Sequence, residues 1–216
     1  MCIRDRYEMV LIADEVMTGF GRTGKWFGMD HWNVVPDIIT MAKGINSGAI
    51  PLGATTVRPW IAEKFETMPY LHGHTYSGHA LAMAAGVAAI EAYREDRLIE
   101  RAARTGAYLM ERLREIQDKH PCVGEVRGKG LFCGIEIVKN RKTKEPIHEA
   151  LMEPPRPATA KMTFLAKCME EGVYIMAGGA SVIMITPPLI ITKEELDFGL
   201  EVIDRNLALC DAVVEK

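Results

Sequence analysis

The sequence predicts an α/β unit followed by a smaller α+β domain, and two observations carry that expectation. Apolar stretches at 9–16 and 37–43, bounded by glycine and proline and separated by a glycine-rich loop, have the pattern of a parallel sheet buried on both faces. From about Cys122 the texture changes to alternating strands, VGEVRGKG and then LFCGIEIV. Residues 1–72 therefore read as the C-terminal part of a larger domain, 73–120 as connecting helices and 121–216 as a C-terminal small domain.

The elements follow in order. Leu52 to Val57 reads as a third strand, and Trp60 to Glu66 as one or two helical turns before a loop around Pro69. The polar segment HGHTYSGH precedes a long run, Ala80 to Ile116, with apolar residues at helical spacing. That run divides into a buried Ala-rich helix, with the helical start placed near Ser77, and a second, amphipathic helix. After the alternating strands comes a charged, proline-rich loop from Lys139 to Pro157, then a helix over 158–171 closed by Gly172 as its C-terminal cap. VYIM and VIMIT read as short strands. Thr192 with Glu195 forms a capping box for a last helix, whose apolar positions are Leu196, Leu200, Ile203 and Leu207.

With 216 residues and 48% hydrophobic content, the composition is that of a soluble globular chain with a sizeable core. A net charge of −3 supplies no basic excess for nucleic acid or an anionic membrane, so small molecules and a second copy are the expected partners. Cys2, Cys122, Cys133, Cys168 and Cys210 are scattered without a CxxC pair, which argues against a disulfide framework and for a reducing compartment. The longest apolar run, Ala80 to Ile90, is too short to span a bilayer, and no apolar signal region opens the chain. A cytoplasmic location is the expectation.

The stretch LIADEVMTGFGRTG followed by DIITMAKGINSG delivers a carboxylate, Asp14, and an amine, Lys43, to neighbouring strand ends. Pyridoxal phosphate is the cofactor whose chemistry wants that pair, because its aldehyde condenses with a lysine amine and its ring nitrogen needs a carboxylate to stay protonated. A lysine flanked by Ala42 and Gly44 can be partly desolvated, which frees its amine as nucleophile. Without further context, an exposed strand-end lysine and an Asp serving as a turn cap would be the ordinary readings.

The context is specific. Leu11, Ile12, Asp14, Glu15 and Val16, then Gly19, Gly21 and Gly24, then Asp37, Ile38, Ile39, Ala42, Lys43, Ser47 and Gly48 appear in order. In this the chain strongly resembles the class III aminotransferases, a branch of the fold type I pyridoxal phosphate enzymes that acts largely on ω-amino groups. The resemblance implies Lys43 as Schiff-base lysine, Asp14 on the pyridine nitrogen and Val16 packed against the ring, a role close to plain core packing. It implies Thr75 on the cofactor phosphate of the other subunit in a homodimer whose active site lies at the interface. Glu15, alternating to the opposite face, has a structural role. His72, His74 and His79 lack a carboxylate or cysteine to complete a metal site, and none is expected.

The activity that the resemblance implies is ping-pong transfer of an amino group from an ω-amino acid or amine to a keto acid such as pyruvate. An aminomutase or racemase of the same family is the alternative. Complete members carry a roughly equal length of chain before the Asp14 strand, including a phosphate-binding loop and a ring-stacking aromatic. The chain thus reads as the C-terminal half of such an enzyme, inactive by itself. One departure concerns substrate choice: the position of a mobile carboxylate-binding arginine in many ω-amino acid:pyruvate enzymes aligns with Ala177, which leaves Arg22 and Arg58 as the nearest candidates for that role.

Overall fold

Asp37 joins the first two strands through both its side chain and its backbone. Its Oδ2 accepts the Leu11 N–H at 2.9 Å, while its own N–H donates to the Leu11 carbonyl at 2.9 Å. In the computed structural model, which describes residues 3–147, 160–179 and 181–215, these bonds open a ladder between β1 (Ile12–Asp14) and β2 (Ile38–Met41). The two run parallel, Ile12 opposite Ile38 and Asp14 opposite Thr40, and β3 (Ala54–Val57) adds antiparallel to β2. A short helix, α1 (Ile3–Arg6), precedes them.

The strands are shorter than their apolar stretches. After Asp14 the chain turns, with the Gly19 N–H donating to the Glu15 carbonyl, and after Met41 it enters a 3-10 turn, Lys43–Ile45. Burial on both faces is also not what these residues achieve: β1 alternates exposed, buried, exposed, and Ile12 keeps 59% of its surface in solvent. Among the described residues, the face that carries Ile12 and Asp14 is left uncovered.

Pro59 starts α2 (Pro59–Ala62), where its missing N–H costs nothing, and α3 (Lys64–Thr67) follows directly. The long run does divide into helices, α4 (Ala80–Glu95) and α5 (Leu98–Lys119), separated at Arg97 by a left-handed residue, φ +51°. α4 begins at Ala80, later than the expected start near Ser77, with His79 at its N-cap. It is buried only along Ala82, Gly86 and Tyr93, so an Ala-rich composition did not make a fully buried helix.

The chain divides into two compact units, Met1–Arg101 and Ala102–Lys216. The second unit contains β4 (Val123–Lys129), β5 (Phe132–Asn140), β6 (Glu145–Pro146), α6 (Ala160–Glu170), β7 (Met176–Gly178), β8 (Val182–Ile185), α7 (Lys193–Asn206) and α8 (Ala208–Asp211). Its sheet is antiparallel in the order β4-β5-β8-β7, with β6 on β5. Ile135 and Ile137 on β5 bury with Leu109 and Leu113, Phe164, and Leu196, Leu200 and Ile203 in one core. Truncating one of these to alanine would cost about 2–5 kcal/mol.

The local signals behave as expected here. Gly172 has φ +86°; its N–H donates to the Met169 carbonyl and the Val173 N–H to the Cys168 carbonyl, the paired bonds of a Schellman cap. The Glu195 N–H donates to Thr192 Oγ1 at 3.2 Å, and the Thr192 N–H to Glu195 Oε2 at 2.9 Å, closing the box at the head of α7. Because the cap occupies Val173, the strand expected at VYIM is displaced to Met176–Gly178. Of the helix expected at 158–171 and the loop to Pro157, residues 148–159 lie outside the described residues, as does Cys2. Cys122, Cys133, Cys168 and Cys210 are buried free thiols, and burial pushes that of Cys133 up to about 11. Among the described residues, no helix is long and apolar enough to cross a membrane.

Candidate active site

Asp14 ends β1 with its side chain exposed, and its Oδ1 accepts the Val16 N–H at 3.0 Å. That bond holds the start of the turn that follows the strand, in which Val16 sits half-buried. The turn-capping role and an outward carboxylate coexist in Asp14. Glu15 takes the opposite face and is 2% exposed. Its Oε2 accepts from Thr18 Oγ1 at 2.5 Å and from the Gly28 N–H at 2.8 Å, and its Oε1 accepts the Met29 N–H at 2.8 Å. A buried carboxylate thereby ties the glycine-rich loop to the start of a 3-10 turn, Gly28–His31.

Lys43 lies just past the end of β2, the parallel neighbour of the strand that ends on Asp14. Its backbone is left-handed, φ +43°, a conformation that costs a non-glycine residue roughly 1–3 kcal/mol. The residue is exposed, so the partial desolvation expected between Ala42 and Gly44 is not supplied; the described residues leave this strand end open. What surrounds the turn is tightly built. Asn46 is buried; its Nδ2 donates to the Ile50 carbonyl at 2.5 Å and its Oδ1 accepts the Gly48 N–H at 3.1 Å. Gly44 must lack a side chain, since a Cβ there would come within 2.8 Å of the Cβ of Phe20.

Beneath the turn lies an aromatic group that the sequence reading did not single out. Phe20 stacks on Tyr93 with centroids 6.3 Å apart and meets Phe27 edge-on at 5.6 Å, while Trp26 meets Tyr93 edge-on at 6.2 Å. Phe20 lies within the glycine-rich motif and Trp26 just after it, so their sequence position pointed to them. Tyr93 lies far along the chain and has only its place on the helix after HGHTYSGH to mark it. Arg22 is half-buried in the same loop, and burial holds its guanidinium below the ordinary arginine value, partly offset by nearby Tyr93. Arg58 is the exposed N-cap of α2.

Thr75 is exposed and opens the turn that leads to α4, in which the Ser77 N–H donates to the His74 carbonyl at 2.9 Å. Tyr76 and Ser77 beside it line a cavity of about 590 Å³ together with Thr40 and Met41 of β2 and Ala54 and Thr55 of β3. His72 and His74 meet edge to face at 4.8 Å. Within the second unit, Ala177 is exposed on β7, the outer strand of its sheet, opposite Ile183.

The donor set fits pyridoxal phosphate in kind: a primary amine and a carboxylate, both accessible, follow the ends of adjacent parallel strands, which is where α/β sheets bind ligands. Comparison with known proteins agrees. The family described as aminotransferase class-III matches residues 2–207. A taurine–pyruvate aminotransferase from Bilophila wadsworthia is 40% identical over 215 residues, which is 94% of this chain and 45% of that protein. A leucine/methionine racemase from Thermococcus litoralis is 38% identical over 207 residues, 95% of this chain and 44% of that protein. Among solved structures, a taurine:2-oxoglutarate aminotransferase from Bifidobacterium kashiwanohense, in complex with PLP and glutamate, superposes with a TM-score of 0.90 at 38% identity, covering 99% of this chain and 47% of that one. The chain spans less than half the length of these relatives.

Proposed function

Because the chain belongs to the class III aminotransferases, we propose that the full-length protein uses pyridoxal 5′-phosphate to transfer an amino group from an ω-amino acid or amine to a keto acid such as pyruvate. The observation that carries the reading is the juxtaposition at the ends of β1 and β2, a carboxylate at Asp14 and an accessible amine on Lys43, whose backbone is left-handed. The racemase relative supports a second reading, isomerisation of an amino acid on the same residues. Net consumption of a keto acid separates the two.

Lys43 Nζ would hold the cofactor aldehyde and, when released by substrate, carry a proton from the substrate carbon that bears the amine. Asp14 would hold the proton on the ring nitrogen, and the half-buried Val16 would pack against the ring. When bound, the cofactor supplies the ring that accepts the electron pair left by that proton. Thr75 would donate its hydroxyl to the phosphate in a neighbouring copy, which makes the working unit a homodimer with its site at the interface. In this reading residues 1–72 belong to the cofactor-binding domain, 73–120 connect, and 121–216 form the small domain, all in the cytoplasm.

Borohydride reduction of the cofactor-loaded full-length protein, followed by peptide mapping, tests the assignment. The reduced cofactor is expected on Lys43, and finding it on another lysine would overturn the reading.

A further inference from the structure

One buried side chain holds the Lys43 turn from below and has no part in the chemistry proposed above. Tyr93, on α4, is 5% exposed. Its hydroxyl donates to the Gly44 carbonyl at 2.8 Å and lies 3.1 Å from Ser47 Oγ. A phenol has a single proton, so with Gly44 as its acceptor the Ser47 hydroxyl is the donor in the second contact. One oxygen therefore bridges the residue directly after Lys43 and the far end of the same turn.

The ring of Tyr93 works in the same direction. It stacks on Phe20, interplanar angle 29°, and Phe20 in turn presses on the side of Gly44 where a Cβ would sit. Phe20, Lys43 and Ser47 all have left-handed backbones, with φ of +57°, +43° and +54°. Such a conformation at residues with side chains persists only where the surroundings over-determine it. Asn46 holds the turn from within, and Tyr93 holds it from α4, by its hydroxyl at Gly44 and Ser47 and by its ring at Phe20.

We propose that Tyr93 is a positioning residue that locks the Lys43 turn in its left-handed form and so aims the Lys43 amine. The proposal rests on Lys43 being the cofactor-bearing lysine. Without the hydroxyl, the Gly44 carbonyl and the Ser47 hydroxyl lose their shared partner, and Lys43 is free to return to an ordinary φ that carries its side chain elsewhere.

The variant Tyr93→Phe keeps the ring on Phe20 and removes only the bridging hydroxyl. In full-length protein stripped of cofactor and then given pyridoxal phosphate, the rate of forming the borohydride-trappable product on Lys43 is expected to fall about tenfold, the order of one hydrogen bond. The melting temperature of the stripped protein should move by no more than a few degrees. Gly44→Ala, which pushes on Phe20 from the other side, should slow capture in the same way. Capture by Tyr93→Phe at the wild-type rate would overturn the proposal alone, as would slow capture that simply follows a collapse in melting temperature. Capture by the wild type on a different lysine would overturn the functional reading and this one with it.

Discussion

The two carboxylate oxygens of Glu15 are both committed to backbone N–H groups, Oε2 to Gly28 and Oε1 to Met29, with Thr18 Oγ1 also on Oε2. Negative charge at the start of the 3-10 turn Gly28–His31 is favourable there, because the first N–H groups of a helical turn lack internal partners. A glutamine cannot reproduce this: whichever way its amide is turned, an NH2 faces one of the two backbone donors. Glu15→Gln in the full-length protein is therefore expected to cost about 2–3 kcal/mol, measured by denaturant unfolding, with the loss traced to the loop around Gly19. The opposite facing of Asp14 and Glu15 was legible in the sequence from strand alternation. The partners of Glu15 were not, since the return of Gly28 and Met29 to the strand end depends on the path of the glycine-rich loop.

Among the elements, α5 comes close to the backbone of the β4–β5 connection at Gly106. A Cβ on Gly106 would lie 2.3 Å from the Cα and carbonyl carbon of Gly130, in the tight connection between β4 and β5. Backbone cannot swing aside as a long side chain can, so Gly106→Ala would push α5 off the sheet and loosen Leu109 and Leu113. Helix propensity favours alanine by about 1 kcal/mol, but overpacking of this kind costs typically 1–3 kcal/mol or more. Net destabilisation is expected, read as a lower denaturant midpoint; a higher midpoint would show that the helix tolerates the shift. Elements with local causes were legible beforehand: the Thr192–Glu195 box, the Gly172 cap and the break between α4 and α5 all lie in short stretches of sequence. The exposed flank of α4 was not, because it depends on what packs against the helix rather than on its own residues.

At the scale of the whole molecule, the proposed placement of Thr75 on the phosphate of a neighbouring copy would make activity a property of the pair. Full-length Lys43→Ala and Thr75→Ala proteins are each expected to be nearly inactive. In a mixed dimer one site inherits both defects and the other neither, so activity should reappear on mixing, measured as keto acid consumption. No recovery despite proven subunit exchange would place both residues in the same copy's site. The first sheet has a different implication for handling the molecule. β1 stands at its edge, and Met9, Val10 and Ile12 are exposed along that stretch, with no charged residue from Met9 to Ala13 to interrupt it. Uncharged apolar edges pair with one another. These 216 residues produced by themselves would join β1 to β1 between molecules, and turbidity would announce that adhesion before any assay could begin.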